Sequence, residues 1–270
     1  MLGYVCKYTP MELFEAMDTE ITRLEPSVTD FNHADTLMHA NICSYTKAVL
    51  EDVMEHDYEG VILTTCCDSI RRLYDTLKSQ FPDKFFFLLD IPRKFNDFAV
   101  TLYERQLKQM LTEYEAFSGK TLDLKRFVSM MQNKAALKKQ ENTRMSASAV
   151  SEKGNGQKLN IGIMGARCNN EIRQLLVDRG ANLLFDLTCT GLARDFSITE
   201  DQILHSYAAA LLNQIPCMRM LKAANREHFL DGFTDRLDGI IYHTVKFCDS
   251  YSYEYADFRQ RLDLPILLVE

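Results

Sequence analysis

Short, nearly continuous apolar runs alternate along this chain with longer stretches in which apolar residues return every third or fourth position. The runs predict strands at 2–5, 61–64, 85–89, 160–164, 183–186, 239–242 and 266–269, and the stretches between most of them predict helices. Strands apolar at successive positions are covered on both faces, so the alternation implies parallel sheets with crossover helices on either side. Residues about 95–141 carry helical spacing with long straight-chain polar residues and predict two helices in succession. Residues 146–158 (SASAVSEKGNGQK) hold two glycines and no large apolar cluster, and read as a linker.

The two sides of that linker follow one plan. In the first, Glu59-Gly60-Val61-Ile62 leads to Cys67-Asp68-Ser69, then a helix, then a strand ending Leu88-Leu89-Asp90. In the second, Asp238-Gly239-Ile240-Ile241 leads to Cys248-Asp249-Ser250, then a helix, then Leu267-Leu268-Val269-Glu270. Each side also opens with a short glycine-containing strand, Leu2-Gly3-Tyr4-Val5 and Ile161-Gly162-Ile163-Met164. A shared Cys-Asp-Ser at the same step favours duplication over chance. The expected fold class is α/β, with two related doubly wound domains at residues 1–145 and 159–270.

Composition narrows the function classes. The 270 residues are 46% hydrophobic and 26% charged, ordinary for a globular chain. A net charge of −7 and a pI near 5.5 exclude a basic nucleic-acid-binding surface. No apolar run approaches the roughly 18–20 residues that span a bilayer, so no membrane role is expected. The start, MLGYVCK, has no basic leader, which makes the cytoplasm the expected compartment. Disulfides are not expected there, so the eight cysteines are either small buried hydrophobes or reactive groups.

Their positions favour chemistry. In open parallel sheets, ligands sit beyond the carboxyl ends of the strands, where the connections diverge. Cys67 and Cys248 fall there, each ahead of a predicted helix with Asp-Ser as its expected cap. The helix dipole favours a thiolate at such a place, and thiolate is the form that binds metal. Cys43 repeats the pattern ahead of a helix predicted to run to about Glu55. Three thiolates from separate loops suit iron–sulfur or zinc ligation, although no Cys-x-x-Cys or His-x-x-x-His pair is present.

The segments from Gly3 to Leu13 (GYVCKYTPMEL), His39 to Lys47 (HANICSYTK) and Thr64 to Arg72 (TTCCDSIRR), with Phe247-Cys248-Asp249 and the terminal Leu264-Pro265-Ile266-Leu267, carry a resemblance over nearly the whole chain. The sequence resembles the 2-hydroxyacyl-CoA dehydratase family, which includes benzoyl-CoA reductase subunits and double-cubane cluster proteins. The resemblance implies flavodoxin-like, Rossmann-like domains with a cleft between them that holds a 4Fe–4S cluster on Cys43, Cys67 and Cys248. It also implies an ATP-hydrolysing iron–sulfur activator protein as electron donor, and one-electron delivery to a substrate thioester, followed by loss of a leaving group. A homodimer or a heterodimer with a related subunit is expected, and an acyl-CoA substrate is one option. The family's catalytic subunits carry a helical segment upstream of the first strand that this sequence does not show. That departure leaves open an accessory cluster-bearing subunit, or a double-cubane reductase of small non-CoA substrates.

Further cysteines compete with a single-cluster picture. Cys66 neighbours Cys67 without the aspartate partner, and is the alternative ligand at that position. Cys189 follows a predicted strand, and Cys217 precedes a predicted helix, roughly where Cys43 stands in the first half. With Cys6 they could serve a bridged pair of cubanes, or they could be packing thiols; Cys168 reads as structural. His243, at a strand end near Cys248, is a candidate cleft residue. Arg71, Arg72 and Lys246 could face an anion, whereas solvated faces explain them equally well. His33 and His39 flank the Cys43 segment and could be acid–base groups, but read rather as surface or capping residues, Gly154-Asn155-Gly156 as a turn and the 12 methionines as core. No catalytic residue is assigned. A two-domain small-molecule binder with incidental cysteines is the blandest reading.

Overall fold

The computed structural model describes residues 1–28, 30–148, 158–168, 170–190, 198–221 and 224–270. Strands β1 (Leu2–Tyr4), β2 (Ile21–Arg23), β3 (Gly60–Thr64) and β4 (Phe85–Leu89) form a parallel sheet in the order β2-β1-β3-β4. Strands β5 (Asn160–Gly165), β6 (Asn182–Asp186), β7 (Gly239–His243) and β8 (Ile266–Val269) form a second, in the order β6-β5-β7-β8. The two orders are the same, as duplication requires, and both match the start of the flavodoxin-like order.

The first half carries helices α1 (Met11–Ala16), α2 (Asn32–Leu37), α3 (Ser44–Glu55), α4 (Asp68–Gln80), α5 (Asp97–Ser118) and α6 (Leu124–Ser148). The second carries α7 (Asn170–Asp178), α8 (Ile203–Leu212), α9 (Ala224–Asp231) and α10 (Asp249–Arg261). Every residue of β3 is buried, as expected of a strand covered on both faces. Gly60 lets β3 approach β4, since a Cβ there would sit 1.9 Å from the Phe85 carbonyl oxygen. Helix α5 has sequence-encoded ends: the Asn96 side chain accepts from the Ala99 N–H at 2.8 Å, and Gly119 closes it in the left-handed region at φ 71°. Its inner face, Val100, Tyr103, Leu107, Met110, Leu111 and Tyr114, repeats at helical spacing.

One apolar core joins the halves. Tyr207, Leu211, Leu212 and Met220 of the second half pack with Tyr8, Phe14, Tyr103 and Leu107 of the first. The buried Tyr207 hydroxyl donates to Glu12 Oε2 at 2.5 Å within this contact. A second core lies on the other face of the first sheet, under α3 and α4, and a third lies around Tyr242, Tyr251 and Phe258.

Two sequence expectations change. β2 was not foreseen, because three half-buried residues give no apolar run to detect. Helix α6 extends through Ser148, past the expected start of the linker at 146. The rest of that linker up to 157, with Gly154-Asn155-Gly156, lies outside the described residues.

Candidate functional site

Seven of the eight cysteines line one cavity of about 120 Å³: Cys6, Cys43, Cys66, Cys67, Cys189, Cys217 and Cys248. Their chain positions explain the convergence. Cys6 follows β1, and Cys66 and Cys67 follow β3, so they flank the step where the first sheet's connections diverge. Cys189 follows β6, and Cys248 lies between β7 and α10. Cys43 stands at the start of α3, where the Ser44 N–H donates to the Lys246 carbonyl at 3.1 Å and ties that helix to the Cys248 loop. Cys217 lies in the turn region between α8 and α9, seven residues ahead of Ala224. It therefore caps no helix, and its expected likeness to Cys43 holds in place but not in local structure.

The expected Asp-Ser caps are also corrected. Cys67 and Cys248 themselves occupy the cap positions of α4 and α10, and Asp68 and Asp249 are the first helical residues. No conventional side-chain capping bond is made at either cysteine, but the Ile70 and Tyr251 amides of the first turns still favour the thiolate. Asp68 points to solvent with its side chain fully exposed.

Electrostatics separate the thiols. The Cys66 thiol beside it lowers the Cys67 pKa, against burial and the neighbouring Cys43 and Cys248. Cys66 moves well above the usual thiol range, through the same contact and through burial. Burial pushes Cys6 up to about 11 and both Cys189 and Cys248 up to about 12. Charge interactions link the sulfurs across the chamber. Cys67 feels Cys43 and Cys248, whereas Cys189 feels Cys217 and Cys6. Cys66 and Cys248 connect the two groups.

Several wall residues escaped sequence reasoning. Lys7 is almost fully buried beside Cys6 and donates to the Ile215 carbonyl at 2.5 Å. Burial lowers its pKa to about 8, opposed by Cys217 and Cys189. Arg219 holds the Thr65 carbonyl at 2.7 Å through Nη2, while its buried Nε has no hydrogen-bond partner among the described residues. The Tyr251 hydroxyl lies 2.8 Å from Cys189 Sγ. The Arg167 guanidinium stacks on Tyr45 at 3.9 Å and donates to the Leu24 carbonyl at 3.0 Å. The only sequence signal for Lys7 and Arg167 is that each adjoins a cysteine just past a strand end.

Behind the wall, fully buried Arg226 reaches the Leu187 and Pro216 carbonyls at 3.2 and 3.3 Å, beside Cys189 and Cys217, and pairs with buried Glu254 at 3.1 Å. Tyr242 donates to the same carboxylate at 2.5 Å.

Other predicted candidates lie elsewhere. His243 and Cys168 line a neighbouring cavity, not the one that gathers the cysteines. Arg71 and Arg72 face outward beside Asp68 and Asp75. Lys246 is exposed with its ammonium over Phe247. His33 pairs with Glu51 at 2.7 Å, and His39 Nδ1 accepts from the Asn41 N–H at 3.2 Å, the surface and capping roles expected.

Sulfur donors around one cavity are the ligand chemistry of an iron–sulfur cluster. Among the described residues, no three His, Cys, Asp or Glu side chains gather tightly enough to hold one metal ion. A tetrahedral zinc needs its ligands at roughly 2.0–2.3 Å from one point, whereas a cluster offers its irons at separate corners. Lys7 and Arg219, both in the lining, give an anionic, sulfur-rich group two cationic neighbours.

Two doubly wound sheets with a cysteine-lined chamber at their carboxyl ends define a class of duplicated α/β proteins. The family model of the 2-hydroxyglutaryl-CoA dehydratase D-component matches residues 6–153 and again 130–270, and the chain belongs to that family. No curated protein matches it. No described helix is long and apolar enough to cross a membrane.

Proposed function

We propose that this D-component-like subunit binds an iron–sulfur cofactor in the cysteine chamber and uses it to deliver low-potential electrons to a substrate. The supporting observation is the convergence of seven cysteines from both halves on one cavity. In this reading Cys43, Cys67 and Cys248 hold a 4Fe–4S cluster, which when bound supplies single electrons and an open iron for a substrate oxygen. Lys7 and Arg219 offset its negative charge, and the apolar lining limits water. An ATP-hydrolysing iron–sulfur activator is the proposed donor, and the family name points to an acyl-CoA thioester as substrate. The chain is proposed to work in the cytoplasm under anaerobic conditions, as a homodimer or with a related subunit.

The presence of Cys6, Cys189 and Cys217 in the same lining supports a second reading, a bridged pair of cubanes with these three as the other ligand set. Iron and sulfide measured after oxygen-free purification separate the readings. A single cubane gives about four irons per chain and a pair about eight. Cys67→Ser is expected to remove most of the iron in the first case. In the second, Cys189→Ser is expected to remove about half. A colourless, iron-free chain from oxygen-free cells would sink both.

A further inference from the structure

Against the cysteine chamber lies a second cavity of about 230 Å³, whose walls include Glu25, Phe31, Arg167, Thr190, His243 and Val245. The two cavities share Tyr45, Arg167 and Val245, so they sit back to back across the Tyr45–Arg167 stack. No role assigned to the cysteine chamber uses the second one.

We propose that this second chamber is a binding site for a small carboxylate, anchored by the Arg167 guanidinium with the His243 imidazole as a further polar wall. Three observations carry the inference. The first is charge. The acid in the lining, Glu25, is already paired with Arg23 at 2.6 Å, and Arg23 also donates to the Thr190 carbonyl at 3.1 Å. Among the described residues Arg167 is therefore the unbalanced charge of the lining, complementary to an anion.

The second is preorganisation. Stacking on Tyr45 and the bond to the Leu24 carbonyl fix the plane of the Arg167 guanidinium. A planar fork held in place suits bidentate recognition of a carboxylate, and prior fixing reduces the entropy lost on binding. The Tyr45 hydroxyl is itself held by the Leu24 carbonyl at 2.9 Å, so both layers of the stack are anchored to one residue.

The third is the polar wall around Arg167 and the size of the space it encloses. Thr190 Oγ1 already contacts Arg173, Thr188 and the Cys168 carbonyl. His243 Nδ1 is buried without a hydrogen-bond partner among the described residues. The cavity also lies below the roughly 300–1,000 Å³ that encloses drug-sized ligands, which sets a compact acid as its occupant.

The proposal does not depend on what fills the first chamber. Equilibrium dialysis of the full chain, purified without oxygen, against radiolabelled acetate tests it. One saturable site per chain is expected. Arg167→Gln should weaken it at least tenfold, and Arg167→Lys, which keeps the charge but not the fork, should weaken it less. Ala48→Phe fills this chamber from α3 at a position that lines this cavity and not the other, and should abolish binding while leaving the circular dichroism spectrum in place. Acetamide, uncharged and of similar shape, should compete at least tenfold less well than propionate. Absence of saturable binding, binding indifferent to Ala48→Phe or to Arg167→Gln, or equal competition by acetamide would each overturn it. An iron-free chain that still binds acetate separates failure of the cofactor reading from failure of this one.

Discussion

Burial disfavours thiolate at Cys6, Cys66, Cys189 and Cys248, yet Cys67 moves the other way because Cys66 hydrogen-bonds to it. A lowered pKa means more thiolate at a given pH, and each unit of difference is a tenfold difference in thiolate fraction. In chain stripped of metal, iodoacetamide at pH 8 should alkylate Cys67 at least tenfold faster than Cys189. Cys6 should catch up only as pH nears 11, and Cys189 and Cys248 only near 12. Peptide mass spectrometry reads each site; equal rates at Cys67 and Cys189 at pH 8 would contradict the assignment. Arg226 is the other decisive residue, because it fastens the backbone beside Cys189 and Cys217. Arg226→Met strands the buried Glu254 charge, and loss of one partner of a buried pair is worth about 3–5 kcal/mol. Urea denaturation should show that loss, and the double variant Arg226→Met/Glu254→Leu should recover part of it.

At the scale of elements, the sequence made β4 and β8 legible to the residue and placed the other long strands within a residue or two at each end. The apolar run of β3 reports burial on both faces, whereas β8, equally apolar in sequence, leaves Leu267 and Leu268 exposed. Gly60 shows the physics that fixes the β3–β4 spacing. With a Cβ 1.9 Å from backbone, Gly60→Ala must push the strands apart, and overpacking of this kind is destabilising by typically 1–3 kcal/mol. Gly119→Ala removes only a left-handed cap with open space around it, and should perturb less than Gly60→Ala in the same thermal melt. The misses have physical causes. β2 is held by pairing with β1 and not by an apolar run of its own. Asp-Ser after cysteine resembles a cap in any local reading, and only the backbone angles show that the cysteine occupies that position. The three cysteines read as a site do line one cavity, and the four held in reserve line it too. Lys7, Arg167 and Arg219 were illegible because their importance arises from contacts with residues far away in the chain.

At the scale of the molecule, the duplicated halves are joined by more than the segment between them. Helix α8 packs on α5, Tyr207 bonds Glu12 inside the shared core, and Lys7 and Arg219 each hold a carbonyl of the opposite half across the chamber. Arg167 and Arg23 do the same across the neighbouring cavity. Two domains that met only at a polar cleft would unfold separately, whereas a common apolar core couples them. The metal-free chain should therefore unfold in urea as one transition, coincident by far-ultraviolet circular dichroism and by tyrosine fluorescence, which is usable because the chain has no tryptophan. Tyr207→Ala deletes a fully buried aromatic side chain from that shared core, a change worth about 3–5 kcal/mol. If the shared core is what couples the halves, this variant should split the single transition into two, with the second half melting first. A parallel shift of one unsplit transition would place the coupling elsewhere, and two transitions in the unaltered chain would mean that the halves fold independently.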